Sequence, residues 1–359
     1  MPAADQDRIP VTLLTGFLGS GKTTVLNHLL QHPVLANTLV IINEFGEIGL
    51  DHALLVHTDE DIVVEMSSGC LCCTIRGDLA KTLHDAPWRF ARGGKRWFER
   101  VIIETTGLAD PVPVMHTLMM DPDVEQFYRL DGVVATVDAA TALSTLDRQF
   151  ESVKQAAVAD MLLLTKTDLT DSDTAVAIEM RLREINPAAP IVYTTNGTVD
   201  PAKLFEAGLH SPTARTEDVR RWLSAEAYEH EREHGHHHHH GEHHHHDVNR
   251  HGKDITAVCL TIDDPIDPIV FNGWLGLIAA YRGPDLLRIK GLVNIIGEPG
   301  PVVIHGVQHI FHPSVSLDCW PDDDHRSRIV FIGRNLPEKQ LRDAFTILSS
   351  DKTAPESAA

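Results

Sequence analysis

Residues 16–23 read GFLGSGKT, which matches the pattern G-x-x-x-x-G-K-[ST] at every position. A β-rich apolar run, residues 9–15, precedes this stretch, and residues 24–30 after it have the apolar spacing of a helix. A strand, a glycine-rich loop and a helix in this order form the phosphate-binding loop of nucleotide-binding proteins. The sequence therefore predicts an α/β domain with a nucleotide site near its beginning.

Each position of this loop has a predicted role. The glycines let backbone N–H groups close around phosphates, and the helix N-terminus adds its dipole. Lys22 is expected to reach the β- and γ-phosphate oxygens, and the Thr23 hydroxyl to bind Mg²⁺. The predicted nucleotide-binding residues of the loop are Gly16, Gly19, Ser20, Gly21, Lys22, Thr23 and Thr24.

A carboxylate follows a second buried-type strand. Residues 100–104 end in Glu104, and Thr105-Thr106-Gly107 comes next. Glu104 is expected to order Mg²⁺ or its water, and Gly107 to sense the γ-phosphate. The alternative is a surface glutamate at a strand end. Lys22, Thr23 and Glu104 are the predicted catalytic residues; the sequence assigns no arginine finger or positioned base.

The segment TKTD, residues 165–168, is a variant of the guanine-binding pattern N-K-x-D. The Asp168 carboxylate can accept hydrogen bonds from guanine N1 and N2, and the Lys166 stem can stack over the base. Adenine lacks that donor pair, so GTP is favoured over ATP. Asn196, in the segment TTNG, is expected to close over the base, and a plain turn is an equal alternative. Asp138, at a predicted strand end, suits a helix cap and a functional group equally.

Three cysteines stand close together at Cys70, Cys72 and Cys73. Thiolates at this density prefer Zn²⁺ or Cu(I) to the hard cations that accompany nucleotides. Gly69 favours a turn, which is needed if the three thiols share one ion. The alternatives are a disulfide and buried free cysteines, but neighbouring cysteines are poor disulfide partners. A helix predicted to begin near Thr74 would lower the thiol pKa values.

Taken together, these motifs resemble the CobW-type GTPases, which include nitrile hydratase activators, cobalamin-biosynthesis accessory proteins and zinc metallochaperones. The resemblance covers about the first 200 residues, and the later part is compatible with the family's C-terminal domain. It implies GTP, Mg²⁺ and Zn²⁺ as ligands, a client metalloprotein as partner, and Glu47 as the fourth ligand beside the thiols. The segments that carry it are residues 16–24, 43–47, 69–73, 104–111 and 165–168.

Residues 43–51 are predicted to form a switch loop after a strand, and residues 44–49 within it put two carboxylates and two glycines on a turn. Such a loop orders when γ-phosphate and Mg²⁺ are present and relaxes after hydrolysis. It is expected to couple the phosphate site to the thiols. The alternative is an acidic connection without a ligand role.

Residues 230–251 contain 12 of the 23 histidines. Imidazoles at this density bind transition metals weakly and in many geometries. Metal capture or buffering is the favoured interpretation, and a neutral linker or an inserted tag are the alternatives.

The pattern of segments predicts two folded domains. Residues 8–212 alternate strand-like and helix-like segments, which indicates a P-loop domain with a mostly parallel sheet. Residues 213–253 are predicted to be a His-rich flexible linker, and residues 254–350 a small α+β domain. Within it, residues 301–311 are predicted to form one strand. His305, His309 and His312 lie close together in the sequence, but only His305 and His309 would share a strand face, so a metal site there is not favoured.

Composition limits the possible partners. The net charge of −20 and the lack of a basic stripe argue against nucleic acid. No apolar run approaches the roughly 18 residues that a membrane span needs, and five cysteines, three of them crowded, suit a reducing cytoplasm. We therefore expect a cytoplasmic, GTP-dependent zinc metallochaperone that acts with a client or as a homodimer. A cobalt-handling accessory GTPase and a non-enzymatic His-rich buffer are the alternatives.

Overall fold

The computed structural model divides into two compact units, Met1–Arg215 with Asn249–Gly252, and Thr216–Val248 with Lys253–Ala359. It describes residues 8–44, 62–67, 74–91, 93–187, 189–205, 255–282, 285–311, 314–317, 319–320, 323–337, 339–341 and 343.

The first unit contains a seven-stranded sheet. In chain order its strands are β1 (Ile9–Gly16), β2 (Thr38–Glu44), β3 (Ile62–Ser67), β4 (Arg100–Glu104), β5 (Tyr128–Asp138), β6 (Met161–Thr165) and β7 (Ile191–Tyr193). Their order in the sheet is β3-β2-β4-β1-β5-β6-β7, and each neighbouring pair is parallel. The predicted parallel α/β architecture is confirmed.

Helices lie between these strands in the chain and after the last one. They are α1 (Lys22–Leu30), α2 (Thr74–Arg89), α3 (Val112–Met120), α4 (Pro122–Glu125), α5 (Ala142–Arg148), α6 (Phe150–Val158), α7 (Ser172–Ile185) and α8 (Pro201–Phe205). Short 3₁₀ turns lie at Pro33–Leu35 and Thr167–Leu169. Within the described ranges, every helix is too short or too polar to cross a membrane.

Helix α1 is anchored to the sheet by the apolar face that its sequence spacing predicts. Val25, Leu26 and Leu29 are buried and share a core cluster with Ile102 of β4 and Leu163 of β6. Burying a side chain of this size contributes about 1.5–3 kcal/mol. The packing therefore holds the N-terminus of α1 at the carboxyl ends of the strands.

All carboxyl ends of parallel strands meet at one edge of the sheet. The phosphate loop follows β1 at this edge, and Glu104 ends the neighbouring strand β4. Next to β4, strand β2 ends at Glu44, which pairs in register with Ser67 at the end of β3. Four strands thus deliver the segments that follow them to the same edge.

The second unit contains a six-stranded sheet whose strand-to-strand pairings are antiparallel. Helix α9 (Pro268–Arg282) covers one face with Phe271, Trp274, Leu275 and Ile278. This arrangement confirms the predicted α+β class. The strands are β8 (Ile255–Ile262), β9 (Leu286–Val293), β10 (Val302–Val307), β11 (Ile310–Phe311), β12 (Val315–Ser316) and β13 (Ser327–Arg334).

The prediction of one continuous strand over residues 301–311 was wrong. The chain turns back at Gln308, whose φ is +56°, so that Val307 pairs with Ile310 in a tight hairpin. His309 lies in this turn and not on the strand of His305, so the two do not share a strand face. The turn was missed because it contains none of the glycine, proline or asparagine residues that usually mark one.

Candidate functional site

The glycines of the phosphate loop adopt conformations that other residues avoid. Gly16, Gly19 and Gly21 have φ values of +144°, +69° and +91°. A Cβ atom on Gly16 would lie 2.2 Å from the Thr136 hydroxyl oxygen, which is closer than real contacts allow. Gly16 is therefore required both by its backbone angle and by its neighbour on β5.

Lys22 is folded into the loop that it is predicted to serve. Its Nζ donates to the carbonyl oxygens of Gly16 at 2.9 Å and Phe17 at 3.1 Å, and the residue is buried. Helix α1 begins at Lys22 after Gly21, which has no side chain to cap the first turn. The first N–H groups of a helix have no acceptor within the helix, so a helix start that follows a glycine-rich loop with a lysine suits a phosphate.

Thr23, in the first turn of α1, contacts Glu104 at the end of β4. The Thr23 hydroxyl donates to Glu104 Oε1 at 3.1 Å, and Glu104 is only 3% exposed. A hydroxyl and a carboxylate are oxygen donors of the kind that Mg²⁺ prefers. The two predicted magnesium-associated residues are thus adjacent.

The segment after β4 lies against the phosphate loop. A Cβ atom on Gly107 would lie 2.6 Å from the Leu18 backbone nitrogen, so the two loops touch through their main chains. From the other side, the buried Gln155 of α6 donates to the carbonyl oxygens of Gly107 and Ala109 at 3.2 and 3.0 Å. Sequence reasoning missed Gln155 because a glutamine within a helix carries no motif.

Buried hydroxyl groups support the phosphate loop from the sheet. Ser20 Oγ lies 2.6 Å from Thr136 Oγ1 on β5. The Thr165 hydroxyl at the end of β6 lies 2.7 Å from the Ser20 carbonyl oxygen. The threonine that departs from the N-K-x-D pattern therefore has a defined contact with the phosphate loop.

The predicted base-binding segments are brought together beside α1. Asp168 lies exposed in the 3₁₀ turn after β6, and its neighbour Thr167 shares a 3.2 Å hydroxyl contact with Thr195. Asn196 has a φ of +52°. A Cβ atom on Gly197, the next residue, would lie 2.7 Å from the Thr24 carbonyl oxygen. The Asn196 segment is a turn, and it packs directly on the first turn of the phosphate-loop helix.

Asp138 makes two contacts at the end of β5. Its Oδ1 accepts from the Ala140 N–H at 2.9 Å, as in an Asx turn, and its Oδ2 accepts from Lys166 Nζ at 2.7 Å. Of its two predicted roles the helix cap was wrong, because α5 begins at Ala142 and its N-cap residue is Thr141.

The predicted zinc ligands lie outside the described residues. This applies to Cys70, Cys72, Cys73 and Glu47, and to the histidines of residues 230–251. Helix α2 begins at Thr74, as predicted. In the part of the chain that the structure describes, no three histidine, cysteine, aspartate or glutamate side chains are placed to hold a metal ion.

A parallel sheet with this glycine-rich loop, its lysine and the Thr23–Glu104 contact defines a P-loop nucleotide-binding protein. The chain belongs to the CobW family. Residues 10–193 match the CobW/HypB/UreG nucleotide-binding domain, and residues 255–348 match the cobalamin synthesis protein cobW C-terminal domain. The resemblance inferred from the motifs is confirmed.

Relatives span nearly the whole chain. It is 33% identical to "Zinc chaperone YjiA" of Escherichia coli strain K12, over 94% of this chain and 98% of that protein. It is 27% identical to "Zinc-regulated GTPase metalloprotein activator 1" of Schizosaccharomyces pombe, over 92% of this chain and 83% of that protein. The structure resembles that of Zn(II)-bound YjiA GTPase from E. coli with a TM-score of 0.69 at 29% identity, covering 95% of this chain and 99% of that one.

Proposed function

We propose that this chain is a GTP-hydrolysing metallochaperone that binds Zn²⁺ at Cys70, Cys72 and Cys73, with Glu47 as fourth ligand, and transfers the ion to a client protein. The observation that carries the proposal is the shared strand edge, where the phosphate loop and the segments that contain the proposed zinc ligands all begin.

The chain hydrolyses GTP at the P-loop. Lys22 already lies among the loop carbonyls, and bound phosphate oxygens would replace those acceptors for its ammonium. Thr23 and Glu104 would hold Mg²⁺, which neutralises charge on the β- and γ-phosphates. Relatives named as a GTPase and as a zinc-regulated GTPase support this assignment.

Guanine is assigned to Lys166, Asp168 and Asn196. Support comes from the convergence of their segments beside Thr24, in the first turn of the helix that follows the phosphate loop. Asp168 is exposed, so its carboxylate is accessible to the edge of a guanine base.

Strand register supports the proposed zinc site. Glu44 and Ser67 end paired strands, which lie about 4.8 Å apart. Glu47 and Cys70 each follow three residues later, a stretch that spans at most about 10 Å. Both segments therefore begin close enough for a carboxylate and thiolates to share one ion. The relatives named zinc chaperones, and the Zn(II)-bound YjiA structure, favour zinc as the cargo.

The position of β2 suggests how the bound nucleotide affects the affinity for zinc. β2 lies between β3 and β4 in the sheet, and so between the strand before the cysteines and the strand that ends in Glu104. A loop after β2 that is ordered by the γ-phosphate and also presents Glu47 would give GTP and GDP forms different zinc affinities. Zinc must then change the preference for GTP over GDP by the same factor.

The decisive experiment is a zinc titration against a competing chelator, with GDP and with a non-hydrolysable GTP analogue. The expected difference in zinc affinity is about 5- to 150-fold. Replacing Cys70, Cys72 and Cys73 by serine should erase that difference while nucleotide affinity stays nearly unchanged. Cys319→Ser, at an exposed cysteine of the second unit, is the matched control. Equal zinc affinities in the two nucleotide states would refute the switch.

Hydrolysis itself is tested at Lys22. Lys22→Ala should abolish turnover and strongly weaken nucleotide binding, because a point charge on the β- and γ-phosphates is lost. Lys81→Ala, at an exposed position of α2, controls for loss of a lysine. Wild-type turnover in Lys22→Ala would remove the phosphate assignment.

Cobalt is the alternative cargo, and competition between Zn²⁺ and Co²⁺ in the same titration separates the two metals. A metal-dependent pull-down would identify the client, and size measurements with each nucleotide would test for a homodimer. We also propose that the P-loop domain ends at residue 212 and that the linker after it ends at residue 253.

A further inference from the structure

The ends of β5 and β6 carry an ion pair that the phosphate chemistry does not require. Asp138 and Thr165 are partners in the parallel register, so Lys166 follows directly beside Asp138. The Lys166 ammonium lies 2.7 Å from Asp138 Oδ2. The aspartate side chain is 12% exposed and the lysine side chain 39%.

Lys166 is held at both ends of its side chain. Its backbone has a φ of +56°, and its carbonyl accepts from the Leu169 N–H at 3.0 Å, which closes the 3₁₀ turn that carries Asp168. The carboxylate that receives the ammonium is oriented in turn, because its other oxygen accepts from the Ala140 N–H. The methylene stem between these two anchors therefore has few rotamers left.

We propose that Asp138 is a positioning residue for nucleotide binding, which fixes the Lys166 stem as a platform for the face of the purine ring. This inference rests on the proposed function, since it takes the base to lie over Lys166 with its edge at Asp168. A free lysine side chain loses considerable rotamer freedom when it is immobilised against a ligand. Because the ion pair already immobilises the lysine side chain in the folded protein, this rotamer freedom is not lost again when the nucleotide binds.

The test distinguishes contacts with the face of the purine ring from contacts with its edge. Asp138→Asn keeps an oxygen for the Ala140 N–H and removes the charge that holds Lys166. We expect affinities for GDP and for IDP, which lacks the 2-amino group, to fall together by about 2- to 12-fold. The ratio of GDP to IDP affinity should stay constant, whereas Asp168→Asn should change that ratio.

Two further variants complete the design. Asp200→Asn is the matched control, because Asp200 accepts from the Ala202 N–H in a turn of the same kind. Lys166→Met keeps an apolar stem without the ammonium, and in that background Asp138→Asn should have no additional effect on affinity. Thermal unfolding without nucleotide establishes that each variant is folded.

The outcomes distinguish this inference from the proposed function. If Lys166→Met and Asp168→Asn weaken GDP binding while Asp138→Asn binds GDP as tightly as wild type, only the positioning role of Asp138 is wrong. A loss that persists when Asp138→Asn is added to Lys166→Met also overturns it, since the effect would not pass through the lysine. If Lys166→Met and Asp168→Asn both bind GDP like wild type, the base assignment fails and this inference with it.

Discussion

The Thr165 hydroxyl lies 2.7 Å from the carbonyl oxygen of Ser20, which joins the segment proposed to read the base to the loop proposed to hold the phosphates. Both residues are buried. Ser20 lies in the loop after β1 and Thr165 ends β6, and these two strands are not neighbours, because β5 lies between them. The two halves of the nucleotide site are therefore connected inside the protein before any ligand is bound.

Thr165→Val should weaken GDP binding about 10-fold and destabilise the domain by about 1–3 kcal/mol, because the isosteric side chain leaves a buried carbonyl without this donor. Calorimetric titration and chemical denaturation measure the two effects. Thr165→Ser retains the hydroxyl and should behave nearly like wild type. Equal losses in the valine and serine variants would show that the hydroxyl is not what matters.

Gly107→Ala should slow GTP hydrolysis at least about 10-fold while GDP affinity changes little. The added Cβ would meet the Leu18 backbone at 2.6 Å and displace the segment that is predicted to sense the γ-phosphate. Gly77→Ala, in α2 where a Cβ meets open space, is the control and should be neutral or slightly stabilising. Single-turnover hydrolysis and GDP titration measure the two quantities. Unchanged turnover in Gly107→Ala would argue against γ-phosphate sensing there.

Asp168→Asn should lower the preference for GTP and favour xanthosine triphosphate, because an amide can donate where the carboxylate only accepts. Competition among GTP, ATP and xanthosine triphosphate measures the change. Asp173→Asn, in the first turn of α7, is a control for charge. Unchanged guanine selectivity would move base recognition to another residue.

Deleting residues 234–246 should reduce the number of zinc ions bound while one tight site remains. An imidazole tract would add numerous weak sites, whereas the proposed strong site is formed by three thiolates. Zinc stoichiometry and affinity, measured against chelators of graded strength, test this difference. Loss of the tight site in the deletion would mean that the two roles are reversed.

The strands of the parallel sheet could be predicted from the sequence because each is a short apolar run, as at Met161–Thr165. The hairpin after β10 could not be predicted from the sequence, because Gln308 adopts a positive φ and the turn contains no residue type that usually signals a turn. Across this turn Val307 pairs with Ile310 and Gly306 with Phe311. Local signals thus located most elements, and the error occurred at a two-residue turn that lacks the usual turn residues.

The same division holds at the nucleotide site. The glycine-rich loop and Glu104 were found because their spacing is part of a motif. Thr136 and Gln155 were missed, because a threonine in a strand and a glutamine in a helix are ordinary residues until the fold places them against Ser20 and Gly107. Supporting contacts of this kind depend on the crossing of distant elements, which one sequence does not display.

Strand β3, which precedes the cysteine segment, lies at the outer end of the sheet order, three strands from the phosphate loop on β1. Its partner in the sheet is β2, so the pairings of β1 with β4, of β1 with β5 and of β5 with β6 do not involve it. Under the proposed function, cargo choice and energy conversion would then follow different strands of one sheet. One hydrolytic core would serve different metals by exchange of the short segment that follows β3.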